Sequence, residues 1–461
     1  MQRKWRVTSV VVAGVFMASL DLFIVNIAFP DIAKDFDGTS ISSLSWILNA
    51  YAIVFAALLV PAGRWADAYG RKRVFLAGLA IFIAASAACA AAPSVELLVA
   101  ARVVQAAGGA LLLPTSLGLM LPEFQPHERP VAIGIWAATG GVAAAAGPPL
   151  GGLLVEADWR WVFLVNIPVG AAALFAAWRT LTEVRDPAAR RPDVLGALLL
   201  VGAVAALIVA IVQGQDWGWD SARVIGAVLF SVLLFGGVVQ RSLTHHSPVV
   251  DPAMVRVRGF TLAVVGSIAF FVGFATMLLA GVLLLTNAWH ESVLTAGLML
   301  APGPTMAAAF SIPSARLATK VGYRVTGMLG SAIFALAGVW WLTQLGNDPA
   351  YASEFLPGFV VGGIGVGLML PTLTGAGAAS LPPHRFSTGV AVITMGRQIG
   401  SALGVAVLVA ILNDQTAQAT DFTGAWWLMI GAAAVTGLTL SALGRPQQAP
   451  ARAAVPAEVA A

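Results

Sequence analysis

Long apolar stretches alternate with short polar ones along this chain from one end to the other. The apolar runs fall at about 7–30, 44–63, 74–92, 95–121, 131–155 and 161–178, then at 194–213 and 221–240. Six more follow at 259–287, 292–315, 323–345, 353–380, 387–412 and 423–443. Each is close to the roughly 20 residues that a helix rising 1.5 Å per residue needs to cross a hydrocarbon layer of about 30 Å. Backbone in lipid must satisfy its own hydrogen bonds, so each run predicts a helix. The pattern therefore predicts an all-α polytopic membrane protein with fourteen transmembrane helices and both ends on one side.

Charge sharpens this reading. The side that receives the N-terminus, the even-numbered loops and the C-terminus carries 21 of the 26 Lys and Arg residues. The other side carries only Lys34, Arg160 and Arg223, while Arg102 and Arg397 lie within helices. Dropping one helix would scramble that split. Basic loops stay in the cytoplasm, so the expectation is a multi-pass protein of a bacterial inner membrane with both termini cytoplasmic. Arg3, Lys4 and Arg6 precede the first run, which is too long for a signal-peptide core and lacks a small-residue cleavage site; it reads as an uncleaved helix. Trp217, Trp219, Trp289, Trp426 and Trp427 fall near the less basic side and read as interfacial anchors.

Composition excludes other classes. The chain is 59% hydrophobic and 10% charged, against about 25% charged in soluble domains. Its single cysteine, Cys89, leaves no intramolecular disulfide or cysteine metal cluster. The net charge of +4 follows the sidedness of the loops and does not signal nucleic acid. The five histidines (His127, His245, His246, His290 and His384) lie in or beside loops without metal-ligand spacing. Neither a phosphate-cradling glycine loop nor a nucleophile–base pair is present, so the chain is expected to be no enzyme and to use no cofactor or metal. Its expected partners are the bilayer, a small molecule and protons, acting on a monomer.

A weak repeat runs through the chain. Leu113-Pro114-Thr115 with Gly118 recurs as Leu370-Pro371-Thr372 with Gly375, and Arg64, Ala66 and Gly70 recur as Arg316, Ala318 and Gly322. Both pairs sit at matching helices. They divide the chain into a six-helix half (1–180), a linker with two extra helices (181–257), a second six-helix half (258–443) and a disordered cytoplasmic tail (444–461). Repeats of this kind mark secondary transporters, with the substrate site between halves near the midplane.

The candidate chemistry lies in the few polar residues within helices. Asp21 is the one acid placed deep in a membrane helix, where a carboxylate costs roughly 2.5–3.5 kcal/mol on insertion scales. Arg102 lies roughly 10 Å below the outer end of helix 4 and Asp21 roughly 14 Å below that of helix 1, so the two sit at similar depth. They read either as a static buried ion pair or as a proton-coupling pair. Asn26, Gln105, Arg397 and Gln398 are the polar candidates for a substrate cavity. Arg397 has no acid in its own helix and points to Asp21, to a carbonyl cluster or to water. After helix 2, Gly63-Arg64-Trp65-Ala66-Asp67-Ala68-Tyr69-Gly70-Arg71-Lys72-Arg73 combines a turn glycine, a basic cluster and an acid. Asp67 is either paired locally or poised at the positive N-terminal end of a neighbouring helix. Helix 5 carries Gly140, Gly141, Gly147, Pro148, Pro149, Gly151 and Gly152, which suit close packing and a bend.

These stretches also resemble a known family. The loop after helix 2 resembles the Gly-x-x-x-Asp-x-x-Gly-Arg-Lys signature of the major facilitator superfamily, with Gly63, Asp67, Gly70 and Arg71 as its gate. Arg102-Val103-Val104-Gln105-Ala106 resembles its Arg-x-x-Gln-Gly motif, with Ala106 where Gly is usual. The run containing Gly147, Pro148, Gly151 and Gly152 resembles its antiporter motif. Leu20-Asp21 through Asn26-x-Ala28-x-Pro30, and Trp159-Arg160-Trp161 through Asn166-Ile167-Pro168, resemble the fourteen-helix drug:proton antiporters. The resemblance implies two six-helix halves plus two inserted helices. It implies export of hydrophobic or cationic small molecules by alternating access in exchange for protons, and it implicates Arg102 in the coupling for which the buried Asp21 is the acid. The alternatives are a dedicated exporter of one endogenous metabolite, lipid or self-made antibiotic, and a non-transporting sensor or channel.

Overall fold

The computed structural model describes residues 2–36, 41–185, 193–246, 248–346, 348–382, 385–412 and 418–443, and every regular element among them is helical. The first six crossings are α1 (Arg3–Asp35), α2 (Ile41–Tyr69), α3 (Arg71–Ala90), α4 (Val95–Met120), α5 (Arg129–Val155) and α6 (Asn166–Thr180). Then come α7 (Val194–Val212), α8 (Ala222–Thr244) and α9 (Arg258–Leu283). The element Pro302–Gln344 supplies α10 (302–321) and α11 (323–344), followed by α12 (Leu356–Ala379), α13 (Phe386–Leu412) and α14 (Thr423–Ser441). Among the described residues thirteen stretches are long and apolar enough to span a bilayer, and one of them, Thr295–Gln344, has 50 residues. At helical rise that is about 75 Å, more than two hydrocarbon thicknesses. Gly322, with φ 84° and ψ 161°, breaks it into two crossings. The total is the fourteen that the hydrophobic pattern predicts.

The sequence repeat is also a repeat of backbone. Gly70 between α2 and α3 has φ 109°, and Gly322 between α10 and α11 has φ 84°, a region that glycine enters freely. The residue after each glycine then reaches the equivalent glycine of the next-but-one helix. Arg71 donates from Nη1 to the carbonyl of Gly118 in α4 at 2.7 Å, and the Tyr323 ring packs on Gly375 in α12.

Within the first half α1 packs on α5 and α6, α2 on α4, and α3 on α4 and α6; within the second, α9 packs on α13 and α14, and α10–α11 on α12 and α14. The halves meet along two seams, α5 on α10 and α2 on α13. Small residues bring the first seam together. A Cβ on Gly134 would lie 2.9 Å from the Ser311 carbonyl oxygen, and one on Gly141 would lie 3.1 Å from that of Pro304. The inserted pair lies outside, α7 on α2 and α8 on α7. Leu229, Phe230, Val232 and Leu233 of α8 face outward, a surface suited to lipid and costly in water. Asp193 joins the pair at the basic end: it caps α7 through the Gly196 N–H (2.9 Å) and accepts from Arg241 Nε with both oxygens (2.6 and 2.8 Å).

Three expectations need correction. Helix 1 runs five residues past Pro30 to Asp35, and α2 runs to Tyr69, so Gly63 and Asp67 lie on a helix and not in a loop. Apolar runs mark the lipid-crossing length, which is shorter than the hydrogen-bonded helix. The run 292–315 is not one helix: Val293–Met299 stops, and α10 starts afresh at Pro302. Pro302 and Pro304 lack the N–H groups that would continue the ladder. Trp289 and Trp426 are buried and not interfacial. Trp426 packs on Trp341 with ring centroids 4.5 Å apart, and Trp289 packs on Phe355; Trp219 and Trp427 are exposed. Arg190, Arg191, His384, the tail 444–461 and the side chains of Asn26 and Pro148 lie outside the described residues.

Candidate functional site

Five helices of the first half converge on Asp21. Its Oδ2 accepts from Arg102 Nη1 at 2.6 Å, and its Oδ1 accepts from Gln105 Nε2 at 2.9 Å and Asn166 Nδ2 at 3.0 Å. Arg102 also donates to Gln105 Oε1 (2.6 Å) and, through Nε, to the Ile47 carbonyl of α2 (3.3 Å). Gln105 Nε2 reaches Ser86 Oγ of α3 at 2.9 Å. The guanidinium lies 4.1 Å from the centre of the Tyr51 ring, a cation–π contact in a dry setting. Asp21, Gln105, Ser86 and Tyr51 are fully buried and Arg102 nearly so. The pair expected from helix depth is thus formed. Gln105, expected on a cavity wall, is instead inside this network: three residues after Arg102, it shares that residue's helix face.

A second constellation lies at the basic end. Asp67 Oδ1 accepts from Arg71 Nε (3.1 Å) and Nη2 (2.9 Å), while its Oδ2 accepts from Thr388 Oγ1 (2.8 Å). Thr388 is in the first turn of α13, where a carboxylate also meets the helix dipole favourably. In this arrangement Asp67 is paired locally through one oxygen and meets the start of a neighbouring helix through the other. This contact ties the first half to the second. Around it Phe386, Val390 and Ala378 pack with Met120, Leu121, Phe124 and Ile133, and the Arg129 guanidinium lies 5.5 Å from the Phe386 ring centre. Glu183 accepts from the N–H groups of Lys72 (3.0 Å) and Arg73 (3.3 Å) and so fixes the start of α3.

Between the halves lies a cavity of about 900 Å³, within the size range of small-molecule sites. On α5 its wall begins at Trp136 and on α13 at Thr394, roughly 10 Å from the basic ends of those helices. It extends to Thr286, Asn287 and Gly297, beyond the far end of α9. The space is thus closed at the basic end and reaches toward the opposite one. The broken start of α10 contributes Leu300, Ala301, Gly303 and Pro304 to the wall. Most of the lining is apolar, with Arg397 and Gln398 on it as expected. Arg397 Nη2 donates to the Leu370 carbonyl (3.4 Å) and to Thr374 Oγ1, and its guanidinium lies 5.4 Å from the Phe271 ring centre. One carbonyl stands where a carbonyl cluster was among the expected partners, and the Thr374 hydroxyl joins it.

The model for the family described as Major Facilitator Superfamily matches residues 11–286 and again 265–460. The chain belongs to the major facilitator superfamily. Among relatives, the puromycin resistance protein pur8 of Streptomyces alboniger is 34% identical over 425 residues, 90% of this chain and 83% of its own length. The multidrug resistance protein Stp of Mycobacterium tuberculosis is 33% identical over 404 residues, 87% of this chain and 74% of its own. The probable actinorhodin transporter of Streptomyces coelicolor is 31% identical over 434 residues, covering 91% and 75%. A crystal structure of the human organic anion transporter MFSD10 superposes with a TM-score of 0.64 over 95% of this chain and 100% of that one, at 16% identity; it shares the fold.

In this major facilitator protein the glycines of α5 differ in their surroundings. A Cβ on Gly147 would lie 2.6 Å from Phe23 Cβ, so α5 and α1 touch there, while Gly140 faces open space at the cavity. α5 stays helical through Gly151 and Gly152. Sequence reading missed Ser86, Tyr51 and Thr388, and placed Asn166 in a motif without a role in the site. Asn166 was open to notice as a lone amide in an apolar run; Thr388 has no such signal, since its partner is 321 residues away.

Proposed function

We propose that this protein exports hydrophobic small molecules across the cytoplasmic membrane in exchange for protons. The cavity between the halves is the substrate site and Asp21 the proton acceptor. The observation that carries this reading is the position of the Asp21 network directly behind the cavity wall. Ala18 and Leu22, which flank Asp21 on α1, both line the cavity, while the carboxylate holds α4 and α6 by accepting three hydrogen bonds. A protonated carboxyl group carries a donor on one oxygen and loses the negative charge that strengthens the bonds it accepts, above all the one from Arg102. Proton uptake therefore loosens the contacts among α1, α4 and α6 and shifts the wall facing the substrate. That gives proton and substrate a differential affinity for two arrangements, which exchange requires.

The basic end is the cytoplasmic one, and the contact of Asp67 with Thr388 is the inner gate. The arrangement described here then faces outward, the state that takes up a proton and has released its substrate. Opening inward requires that contact to break. The resistance-protein names of the relatives support an antibiotic-like cargo. Single-compound names such as puromycin and actinorhodin favour a narrow range as the second reading.

Inverted membrane vesicles energised with an acidic lumen test the function. A hydrophobic dye that the cavity binds should accumulate in the lumen, saturably, and a protonophore should stop it. Flux that ignores the gradient and does not saturate would instead mark a channel.

A further inference from the structure

We propose that the cavity holds an anionic group of its substrate on Arg397 and Thr394, so that the preferred cargo is a hydrophobic organic anion such as a phenolate, enolate or carboxylate. This rests on reading the cavity as the transport site. Among the described residues Arg397 is the one charged side chain on the wall, and no Asp or Glu lines it. Asp21 does not compensate it, because both of its oxygens are engaged by Arg102, Gln105 and Asn166.

The site has unused donors. Arg397 is 9% exposed. Both of its hydrogen bonds leave from Nη2, and its buried Nε has no partner. A guanidinium carries five N–H groups, so the Nε and Nη1 donors remain for a ligand. Thr394 Oγ1, one helical turn earlier on the same wall, is also buried without a partner. Gln398 follows Arg397. Donors thus cluster on one face of α13, while Phe271 and Phe274 of α9 offer flat apolar surface to a ring system.

The energetics point the same way. A desolvated cation without an acid is costly in a membrane protein. An anionic ligand removes that cost and gains charge-assisted hydrogen bonds, the strong kind. A cationic ligand of the same shape meets repulsion in a medium that screens poorly.

Fluorescein, an anion at neutral pH, and rhodamine 6G, a permanent cation, share a xanthene core. Their binding to the purified full-length protein is read by fluorescence anisotropy at pH 7.5. Wild type should bind fluorescein at least tenfold more tightly than rhodamine 6G. Arg397→Gln should lose that preference by about tenfold or more. Arg397→Lys should retain part of it, Arg397→Glu should reverse it, and Thr394→Val should weaken fluorescein a few-fold. Elution profile and melting temperature check folding, and Thr394→Val with Arg397→Lys carries the test if the Gln form does not fold. Equal or absent binding of the two dyes, a preference for rhodamine 6G, or a preference untouched by the Arg397 variants overturns the proposal. Binding needs no gradient. Charge-selective binding without gradient-driven transport would leave the anion site standing and refute export, while gradient-driven export of rhodamine 6G over fluorescein would do the reverse.

Discussion

Thr388→Val tests the inner gate with a small perturbation. The change keeps the side-chain volume and removes one hydroxyl, whose hydrogen bond to Asp67 Oδ2 is 2.8 Å long. Both partners are buried, at 1% and 4% exposure. A hydrogen bond to a charged group contributes about 1.5–3 kcal/mol. Asp67 keeps its two bonds from Arg71, so it is not left as a bare charge and the lower part of that range applies. Two kcal/mol is roughly a thirtyfold change in an equilibrium constant, at about 1.4 kcal/mol per decade. The loss falls on the state closed at the basic end, because the bond joins the halves only there. The assay is double electron–electron resonance between spin labels at Arg73→Cys and Arg324→Cys, exposed positions at the starts of α3 and α11. Cys89 is buried and stays in place. Thr388→Val should raise the long-distance population about tenfold or more over wild type. An unchanged distance distribution in a folded Thr388→Val protein, and in Asp67→Asn as well, would refute the reasoning and assign closure to the apolar packing around Phe386.

Other parts of the structure make separate predictions. Arg102→Leu leaves the buried Asp21 without its cation and should destabilise by about 3–5 kcal/mol; the Asp21→Leu, Arg102→Leu double variant should unfold at a higher temperature than either single variant, and strict additivity would show that the pair does not interact. Gly322→Ala forces a Cβ into φ 84° and ψ 161°, a region essentially restricted to glycine, and should cost about 1–3 kcal/mol, seen as a lower melting temperature; an unchanged melting temperature would show that the backbone there relaxes without cost. Burial pushes the Asp193 carboxylate up, but the Gly196 N–H and the Arg241 guanidinium outweigh it and hold the group below its usual 3.8. A depressed pKa gives stability that is present above the unfolded value and lost as pH falls through the folded one. The α7–α8 pair should therefore keep its hydrogen-exchange protection from pH 8 down to about 4 and lose it below, while Asp193→Asn should flatten that acid limb.

The architecture was legible because two independent patterns agree on it. The apolar runs locate crossings, and the sidedness of Lys and Arg holds the count at fourteen. Asp21 and Arg102 were legible as a pair because a helix turns residue number into depth, and charges at one depth in lipid seek each other. Depth does not give azimuth across helices, so Gln105 was assigned to the cavity although it follows Arg102 into the bundle. The break at Ala301 hid inside an apolar run, since hydropathy does not register the missing N–H groups of Pro302 and Pro304. Trp289 and Trp426 were misplaced because aromatic residues near a membrane face serve both as anchors and as packing, and only neighbours such as Trp341 and Phe355 decide between them. Thr388 was out of reach: its role depends on a contact between halves.

The most direct test of the central claim, that Asp21 carries the exchanged proton, is to follow lumenal pH with trapped pyranine in proteoliposomes while a dye exported by wild type is added. Wild type should move protons when dye is added and move dye when a pH gradient is imposed. Asp21→Asn should do neither, yet still exchange labelled for unlabelled dye across the membrane. Substrate-driven proton movement at the wild-type rate in Asp21→Asn would contradict the assignment.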